Sequence, residues 1–313
     1  AISKWLFGGQ TYAMQSKAST QTAVRSLSGW RALLAALPFA LVTGLALLPH
    51  LGVVLTSFAT PGSWYQNVLP SSFTGGNYIE ALGHDMTISS IRNSLLFSSL
   101  AVGFDIVVGI AIAFVVVRST IRVRGVLDAL SMIPLAVPGL VMAFGFLAVS
   151  SWLSNLKGVS NMDWWPQVVD VRTNPTLFLV LAYSVRRLPY MVRSAVAGLQ
   201  QTSVTFEEAA WNLGASPAHT LRRITLPLIL ANLIAGTLLT FAFSMLEVSD
   251  SLMLAQQADY MPITKAIFEL FQLLGTGKHV AAALGVWAMA FLTATLVGSS
   301  LLLGKKLGAV FRV

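Results

Sequence analysis

Residues Thr205–Pro227, T-F-E-E-A-A-W-N-L-G-A-S-P-A-H-T-L-R-R-I-T-L-P, form a polar stretch between long apolar segments. Thr205 is placed to cap a first helix, with Glu208 three residues later reaching back to complete a capping box. Gly214 predicts the left-handed turn that ends this helix. The stretch therefore begins with a short helix of defined length.

A second helix is predicted directly after this turn. Ser216 and Pro217 are typical of the N-cap and the first helical position, and Pro227 is expected to stop the helix. Ala209 and Ala210 carry little side chain, so another protein's surface can approach the backbone closely. The stretch 203–227 therefore predicts a helical hairpin that docks onto a partner.

The composition assigns the rest of the chain to a membrane. Hydrophobic residues make up 55% of the sequence and charged residues 10%, against roughly 25% charged in soluble domains. The absence of cysteine excludes disulfides, thiolate metal sites and a cysteine nucleophile. A net charge of +8 would also suit a nucleic-acid-binding protein, and the position of the charges decides between the two classes.

Six segments are long and apolar enough to cross a bilayer, which takes about 20 residues. The fourth segment is the weakest, because its apolar run ends at Val185 and is followed by Arg186, Arg187 and Arg193. These arginines are expected to snorkel toward the cytoplasm. The six segments are Ala32–Phe58, Ile91–Val117, Val126–Val149, Thr176–Gln200, Leu226–Val248 and Val280–Leu303.

The positive charges orient these spans. With the N-terminus inside, 15 of the 20 lysines and arginines fall in cytoplasmic segments, in agreement with the positive-inside rule. The five in outer segments are Arg92, Lys157, Arg172, Lys265 and Lys278. The positive charge thus belongs to the inner membrane face, and the nucleic-acid interpretation is abandoned.

The hairpin resembles the EAA loop of ABC-importer permeases. Glu208-Ala209-Ala210, Gly214 and Ile224-Thr225-Leu226-Pro227 match the spacing of that loop without a mismatch. The resemblance implies a cytoplasmic coupling hairpin that inserts into a cleft of a separate ATPase subunit. The docking residues it implies are Glu207, Glu208, Ala209, Ala210, Gly214, Ser216, Pro217, Ile224, Leu226 and Pro227.

Two further patterns resemble the same superfamily. Asn77-Tyr78 followed by Asn93-Ser94-Leu95 is similar to its N-Y…N-S-L pattern, and Ile133–Gly139 (I-P-L-A-V-P-G) to a P-x-x-x-P-G signature. The signature is that of the branch that imports ferric iron, polyamines, thiamine, phosphonate and related small solutes, and the resemblance implies ferric iron ahead of the others. Pro134 and Pro138 remove ladder hydrogen bonds, so this span must kink. The bend either lines the path or is packed by neighbouring helices.

Acidic residues in or near the spans have two interpretations each. Asp105 falls near the middle of the second span, where it either lines the path or is a protonated packing group. Glu247 and Asp250 close the fifth span, either as an acidic outer vestibule suited to a cationic solute or as a solvated capping loop. The candidate path residues are Pro134, Pro138, Gly139, Asp105, Glu247 and Asp250.

Catalytic classes find little support in the sequence. The four histidines are scattered without metal-ligand spacing, and G-x-x-x-x-G-K-[ST] is absent. The chain is therefore expected to be a non-enzymatic transport subunit with no cofactor or metal of its own. ATP and magnesium are expected on its ATPase partner.

The sequence as a whole predicts an all-α membrane protein of six transmembrane helices with both termini cytoplasmic. Residues 1–29 are expected to be a cytoplasmic segment or a linker from another permease half, and 30–313 the transmembrane domain. The resemblance implies an ABC-importer permease of the bacterial inner membrane. Its partners are ATPase subunits, a second permease half, an external solute-binding protein and lipid. The alternative is a self-sufficient transporter or channel in which Asp105 is a proton or ion site.

Overall fold

Helices form the regular structure of the protein in the computed structural model, which describes residues 27–65, 67–156, 162 and 164–310. The predicted segment 1–29 lies outside the described residues except for its last three. The longer helices are α1 (Trp30–Phe58), α3 (Asp85–Arg118), α5 (Gly139–Ser154), α7 (Thr176–Gln201), α11 (Leu230–Met245) and α14 (Gly277–Val310). The shorter ones are α2 (Gly76–Gly83), α4 (Arg124–Met132), α6 (Trp164–Val169), α8 (Thr205–Asn212), α9 (Pro217–Thr220), α10 (Leu226–Leu228), α12 (Ser249–Leu254) and α13 (Ile263–Gln272). The predicted all-α class is confirmed.

Three of the described helices are each long and apolar enough to cross a membrane: α1, α3 and residues Gly277–Gly298 of α14. Two bent pairs raise the number to five if each pair is counted as one span. Helix α7 is not among them, because Arg186, Arg187 and Arg193 lie in its central part. The count of six spans and their orientation therefore stay predictions.

The bent pairs bear on two predicted spans: the kink expected in the third span is present, and the fifth span is not continuous. The helical axis turns by 104° between Arg124–Leu135 and Gly139–Ser154, where Pro134 and Pro138 interrupt the backbone hydrogen bonds. The predicted kink is thus a sharp break. A second turn, of 74°, separates Pro217–Leu228 from α11, so the straight part of the fifth span begins at Leu230 and not at Leu226.

Helix α7 lies at the centre of the bundle, where it packs against both α3 and α11. Ser184 donates to the carbonyl of Ala101, and Gly109 faces Met191 two turns further along both helices, so α3 and α7 run parallel. Gly198 faces Asn232, near the start of α11. Helix α11 therefore runs antiparallel to α7.

Met191 is wedged between glycines of the two flanking helices. A methyl group added to Gly109 would lie 2.8 Å from Cγ of Met191, and one added to Gly236 would lie 2.9 Å from its Sδ atom. Only glycine permits both helices to approach this side chain so closely. The three helices are therefore locked in register at this level.

Residues of the N-Y…N-S-L pattern hold the ends of neighbouring helices by hydrogen bonds. The side-chain amide of Asn77 donates to the carbonyls of Ser57 and Ala59, at the end of α1, at 2.8 and 3.0 Å. The hydroxyl of Ser94 accepts the backbone N–H of Ile263 at 2.7 Å, where α13 begins and no earlier turn can satisfy that group. The pattern thus secures helix ends.

Candidate coupling hairpin and buried polar cluster

The hairpin turn and the start of its second helix follow the sequence prediction. Gly214 adopts a φ of 85°, a conformation that other residues adopt only with strain. The hydroxyl of Ser216 accepts the backbone N–H of His219 at 3.3 Å, and Pro217 is the first residue of α9. Both features are confirmed.

Two expected helix boundaries are wrong. Val204, not Thr205, precedes α8, and the hydroxyl of Ser203 accepts the Thr205 N–H at 3.3 Å. The cap thus comes from outside the predicted box. Pro227 does not stop the second helix, because it lies in the first turn of α10, where its missing N–H is tolerated. The helical path continues to Leu228 through a π turn at Leu221–Thr225.

The hairpin exposes a mixed apolar and acidic face. Phe206, Trp211 and Leu213 are 54%, 45% and 89% exposed, and Glu208 and Ala209 beside them are also exposed. Large apolar side chains without cover are a mark of interaction surfaces. This face is available to a partner.

Two of the predicted docking residues point into the chain itself. Glu207 is 2% exposed and Ala210 is also buried. The Nε atom of Arg118, at the end of α3, lies 3.2 Å from both carboxylate oxygens of Glu207, and the Thr225 hydroxyl donates to Oε1 at 3.2 Å. Glu207 therefore holds the hairpin against the bundle.

A second buried ionic cluster joins α7 to the segment after α11. Nε of Arg186 lies 3.1 Å from Oδ2 of Asp250 and 3.5 Å from Oε2 of Glu247, and Arg187 also pairs with Glu247. The two carboxylate side chains are almost fully buried and the arginines largely so. Glu247 also accepts the backbone N–H of Ser249 at 3.2 Å, which caps α12.

This cluster corrects two expectations. Arg186 and Arg187 do not snorkel toward the cytoplasm, because carboxylates within the fold neutralise them where they lie. Glu247 and Asp250 form neither an acidic vestibule nor a solvated loop, since both are buried and paired. A charge-balanced cluster offers no net attraction for a cationic solute.

The broken third span reaches this cluster. A methyl group added to Gly139, the first residue of α5, would lie 2.5 Å from Oγ of Ser249 and 2.7 Å from Nη2 of Arg186. The sharp turn that Pro134 and Pro138 create thus brings α5 against α7 and α12. Gly139, Glu247 and Asp250, which were predicted from separate segments, come together here.

Asp105 lies apart from that cluster. It is 0% exposed, and neither carboxylate oxygen has a hydrogen-bond partner among the described residues. Asp105 is one turn from Gly109 in α3, and Thr240 is one turn from Gly236 in α11, on the same side of the Met191 wedge. Buried Thr240 likewise lacks a partner within the described part of the chain. The packing group expected from the sequence is buried but not hydrogen-bonded.

The sequence prediction missed the partners of the arginines. It placed Arg186 and Arg187 at the inner face and Glu247 and Asp250 at the outer one. The sequence does contain a signal for this pairing, since two cations lie in one apolar span and two anions follow a later span. Among the described residues, no three His, Asp or Glu side chains group as metal ligands.

Residues 105–307, which include α7, the hairpin and the ionic cluster, match the family described as binding-protein-dependent transport system inner membrane component. The chain belongs to this family. It is an inner-membrane permease of the ABC-importer type, as the resemblance of its hairpin implied.

Relatives of this permease agree with the assignment. The chain is 31% identical over 245 residues to the probable ABC transporter permease protein y4fN of Sinorhizobium fredii, which covers 75% of this chain and 40% of y4fN. It is 33% identical over 199 residues to the molybdenum transport system permease protein ModB of Escherichia coli, covering 63% of this chain and 85% of ModB. A putative 2-aminoethylphosphonate transport system permease protein, PhnV of Salmonella typhimurium, is 27% identical over 207 residues, which are 66% of this chain and 71% of PhnV. The phosphonate branch named from the sequence is thus represented.

Solved structures share the fold of the permease. A bacterial ABC transporter involved in the import of the acidic polysaccharide alginate superposes with a TM-score of 0.64 at 14% identity, over 88% of this chain and 99% of that chain. The alginate transporter in complex with an alginate pentasaccharide-bound periplasmic protein gives a TM-score of 0.62 at 18% identity, over 87% and 92%. At these identities the likeness concerns the fold alone.

Proposed function

We propose that this permease couples ATP hydrolysis by a separate ATPase subunit to solute uptake through residues 203–227. The observation that carries the proposal is the uncovered apolar face of the hairpin, formed by Phe206, Trp211 and Leu213 around Glu208 and Ala209. A cytoplasmic hairpin gains nothing from exposing these side chains to water, whereas a cleft on a partner buries them.

The proposed docking surface is narrower than the sequence pattern. Exposed Glu208, Ala209, Gly214, Ser216 and Pro217 meet the ATPase subunit. Pro227 is also exposed, while Ile224 and Leu226 are half-buried and shape the second helix. Buried Glu207 and Ala210 support this surface from behind.

We further propose that the permease works with two ATPase subunits, a second permease half and an extracytoplasmic solute-binding protein. The family description names a binding-protein-dependent system, and one solved neighbour is in complex with a periplasmic protein. The second half is needed because the spans of one chain make one wall of a path. Since the chain spans 40% of the length of y4fN, this half is either a separate chain or a fused one.

Six spans with cytoplasmic termini remain part of this proposal, with α7 as the fourth. The chain has no cysteine, so single-cysteine variants report topology without background. We expect a membrane-impermeant maleimide to label Val68→Cys in intact cells, and Thr120→Cys and Ala218→Cys only after permeabilisation. Labelling of Ala218→Cys in intact cells would place the hairpin outside.

We also propose that the solute path is narrowed by the break at Pro134 and Pro138. The cluster of Gly139, Glu247 and Asp250 contributes to the same constriction. Asp105 lies on the neighbouring helix. The solute is small and is chosen by the binding protein. Ferric iron, polyamine, thiamine and phosphonate follow from the resemblance, and molybdenum from the name of a relative. Binding assays of the partner solute-binding protein with each of these solutes decide among them.

The first test is copurification of the permease with its ATPase subunit. Glu208→Ala removes an exposed carboxylate, and Gly214→Asp adds a charge at the positive-φ turn. We expect the parent chain to bind the ATPase and the double variant, still extracted as a folded membrane protein, to lose it. Glu80→Ala, an exposed carboxylate on α2, is the matched control. Equal binding by parent and double variant rejects the docking role.

A further inference from the structure

Arg118, the last residue of α3, joins three helix ends. Its Nε atom is shared between the two carboxylate oxygens of Glu207, and its Nη2 atom donates to the carbonyl of Thr202 at 3.0 Å. Thr202 is the C-cap of α7, and Glu207 lies in the first turn of α8. One guanidinium thus links the two central helices of the bundle to the hairpin.

Both charges lie where the helices favour them. Arg118 is in the last turn of α3, near the negative end of its dipole, and Glu207 is in the first turn of α8, near the positive end. The side chains are only 9% and 3% exposed, so water competes little for their hydrogen bonds. Thr225 adds a third contact to Glu207. The pair is therefore short, buried and held from several sides.

The segments that connect the hairpin to α7 and α11 along the chain are not continuous helix, in contrast to the direct contact between Arg118 and Glu207. Non-helical residues 202–204 separate α7 from α8. The 74° break at Ile229 separates the hairpin from α11, and the π turn at Leu221–Thr225 lies just before it. A displacement of α8 is absorbed at these points, whereas the contact across Arg118 and Glu207 leads directly into a helix of 34 residues.

We propose that the Arg118–Glu207 pair is the joint through which movement of the hairpin reaches α3. The inference rests on the proposed docking of an ATPase subunit at the hairpin. Glu207 is a positioning residue that faces the bundle, while its neighbour Glu208 faces the partner. Since α3 packs along α7 and α11, movement transmitted at Arg118 spreads through the bundle.

The test measures whether the hairpin and α3 move as one body. The full chain, assembled with its ATPase subunits in proteoliposomes, carries nitroxide labels at Thr120→Cys and Ala218→Cys, both exposed. Double electron–electron resonance gives the distance between the labels without nucleotide and after trapping with ATP and vanadate. For the parent chain we expect the same narrow distribution in both states.

Glu207→Gln keeps the side-chain volume and removes the charge. In this variant we expect the trapped-state distance to shift by more than the width of the parent distribution. Thr225→Val, which removes one hydrogen bond to Glu207, shows a smaller shift and serves if Glu207→Gln folds poorly. Glu80→Gln, at an exposed carboxylate on α2 outside the docking surface, is the control and leaves the distance unchanged. Exchanging the charges with Arg118→Glu and Glu207→Arg restores the parent distance in part, because the bond to Thr202 is not remade.

Loss of stability alone does not support the joint. An unshifted trapped-state distance in both Glu207→Gln and Thr225→Val overturns it, even if thermal stability falls. An equal shift in Glu80→Gln also overturns it. These results are distinct from failure of the proposed function, in which the parent chain itself does not copurify with the ATPase subunits.

Discussion

Arg186 donates a 3.1 Å hydrogen bond from Nε to Oδ2 of Asp250, 64 residues later in the chain. The Asp250 side chain is completely buried, and Glu247 completes the cluster with Arg187. In a low-dielectric interior each of these charges depends on its partner, because an unpaired buried ion loses its hydration without compensation. The cluster therefore fixes α7 against the segment that follows α11.

Removing one partner of this pair is expected to destabilise the permease strongly. Arg186→Gln leaves Asp250 buried beside Glu247, and the loss is about 3–5 kcal/mol. The double variant Arg186→Gln, Asp250→Asn removes both charges and recovers much of the loss. The melting temperature of the detergent-extracted protein measures the loss in the single variant and the recovery in the double variant. Additive losses in the double variant would contradict the pairing.

The pair of Asp170 with the exposed Arg172 is the control. Nη2 of Arg172 lies 2.8 Å from Oδ2 of Asp170, but the arginine side chain is 79% exposed. Solvent and salt screen such pairs. We expect Arg172→Gln to leave the melting temperature unchanged under the same conditions.

Gly139→Ala is expected to push α5 away from the ionic cluster. The added methyl group would lie 2.5 Å from Oγ and 2.7 Å from Cβ of Ser249, and overpacking of this kind costs about 1–3 kcal/mol. Ser249→Gly opens part of the space and rescues the variant in part, because Nη2 of Arg186 still lies 2.7 Å from the added methyl group. Gly145→Ala is the control, because no atom lies within 4 Å of a methyl group added there. The melting temperatures of the parent and of these variants are compared. A stable Gly139→Ala protein would show that the break is not packed here.

Substitutions at Gly214 are expected to act through the backbone. No neighbouring atom lies within 4 Å of an added Cβ, while φ is 85°. Gly214→Val therefore strains the turn by about 1–2 kcal/mol, whereas Gly214→Asn is tolerated because asparagine adopts positive φ more readily. Copurification with the ATPase subunit should fall for valine and persist for asparagine. Equal loss in both would assign the effect to side-chain contact with the partner.

Asp105→Asn is expected to leave the permease folded and at least as stable, since the carboxylate has no partner among the described residues. An ionised group here is unfavourable by about 2.5–3.5 kcal/mol on membrane-insertion scales. Asp250→Asn, at a paired carboxylate, is the contrasting variant and loses stability. Transport that proceeds without the ATPase and is abolished by Asp105→Asn would support the self-sufficient transporter instead.

Local signals in the sequence predicted the parts of the fold that depend on neighbouring residues. The positive φ of Gly214 and the cap at Ser216 follow from what glycine and serine permit within one turn. The site of the break at Pro134 and Pro138 follows from their missing N–H groups. Its angle does not, because packing of Gly139 against α7 and α12 sets it.

Contacts between distant segments escaped prediction. Arg118 and Glu207 are 89 residues apart, and nothing in either local pattern names the other. The pattern of the fourth span by itself predicts Arg186 and Arg187 at the membrane surface, because it carries no information on the residues of other spans. Their pairing depends on the antiparallel course of α7 and α11, which places Glu247 and Asp250 beside them.

The ionic cluster also sets an order of events during synthesis. Helix α7 leaves the ribosome with arginines whose carboxylate partners follow 60 and 64 residues later. At a synthesis rate of about 5–20 residues per second, the carboxylates are made roughly 3–13 s after the arginines. During that interval each central arginine opposes transfer into lipid by about 2.5–3.5 kcal/mol. For α7 as the proposed fourth span, insertion is therefore a two-segment event, completed when α11 and α12 arrive at the translocon with the opposite charges.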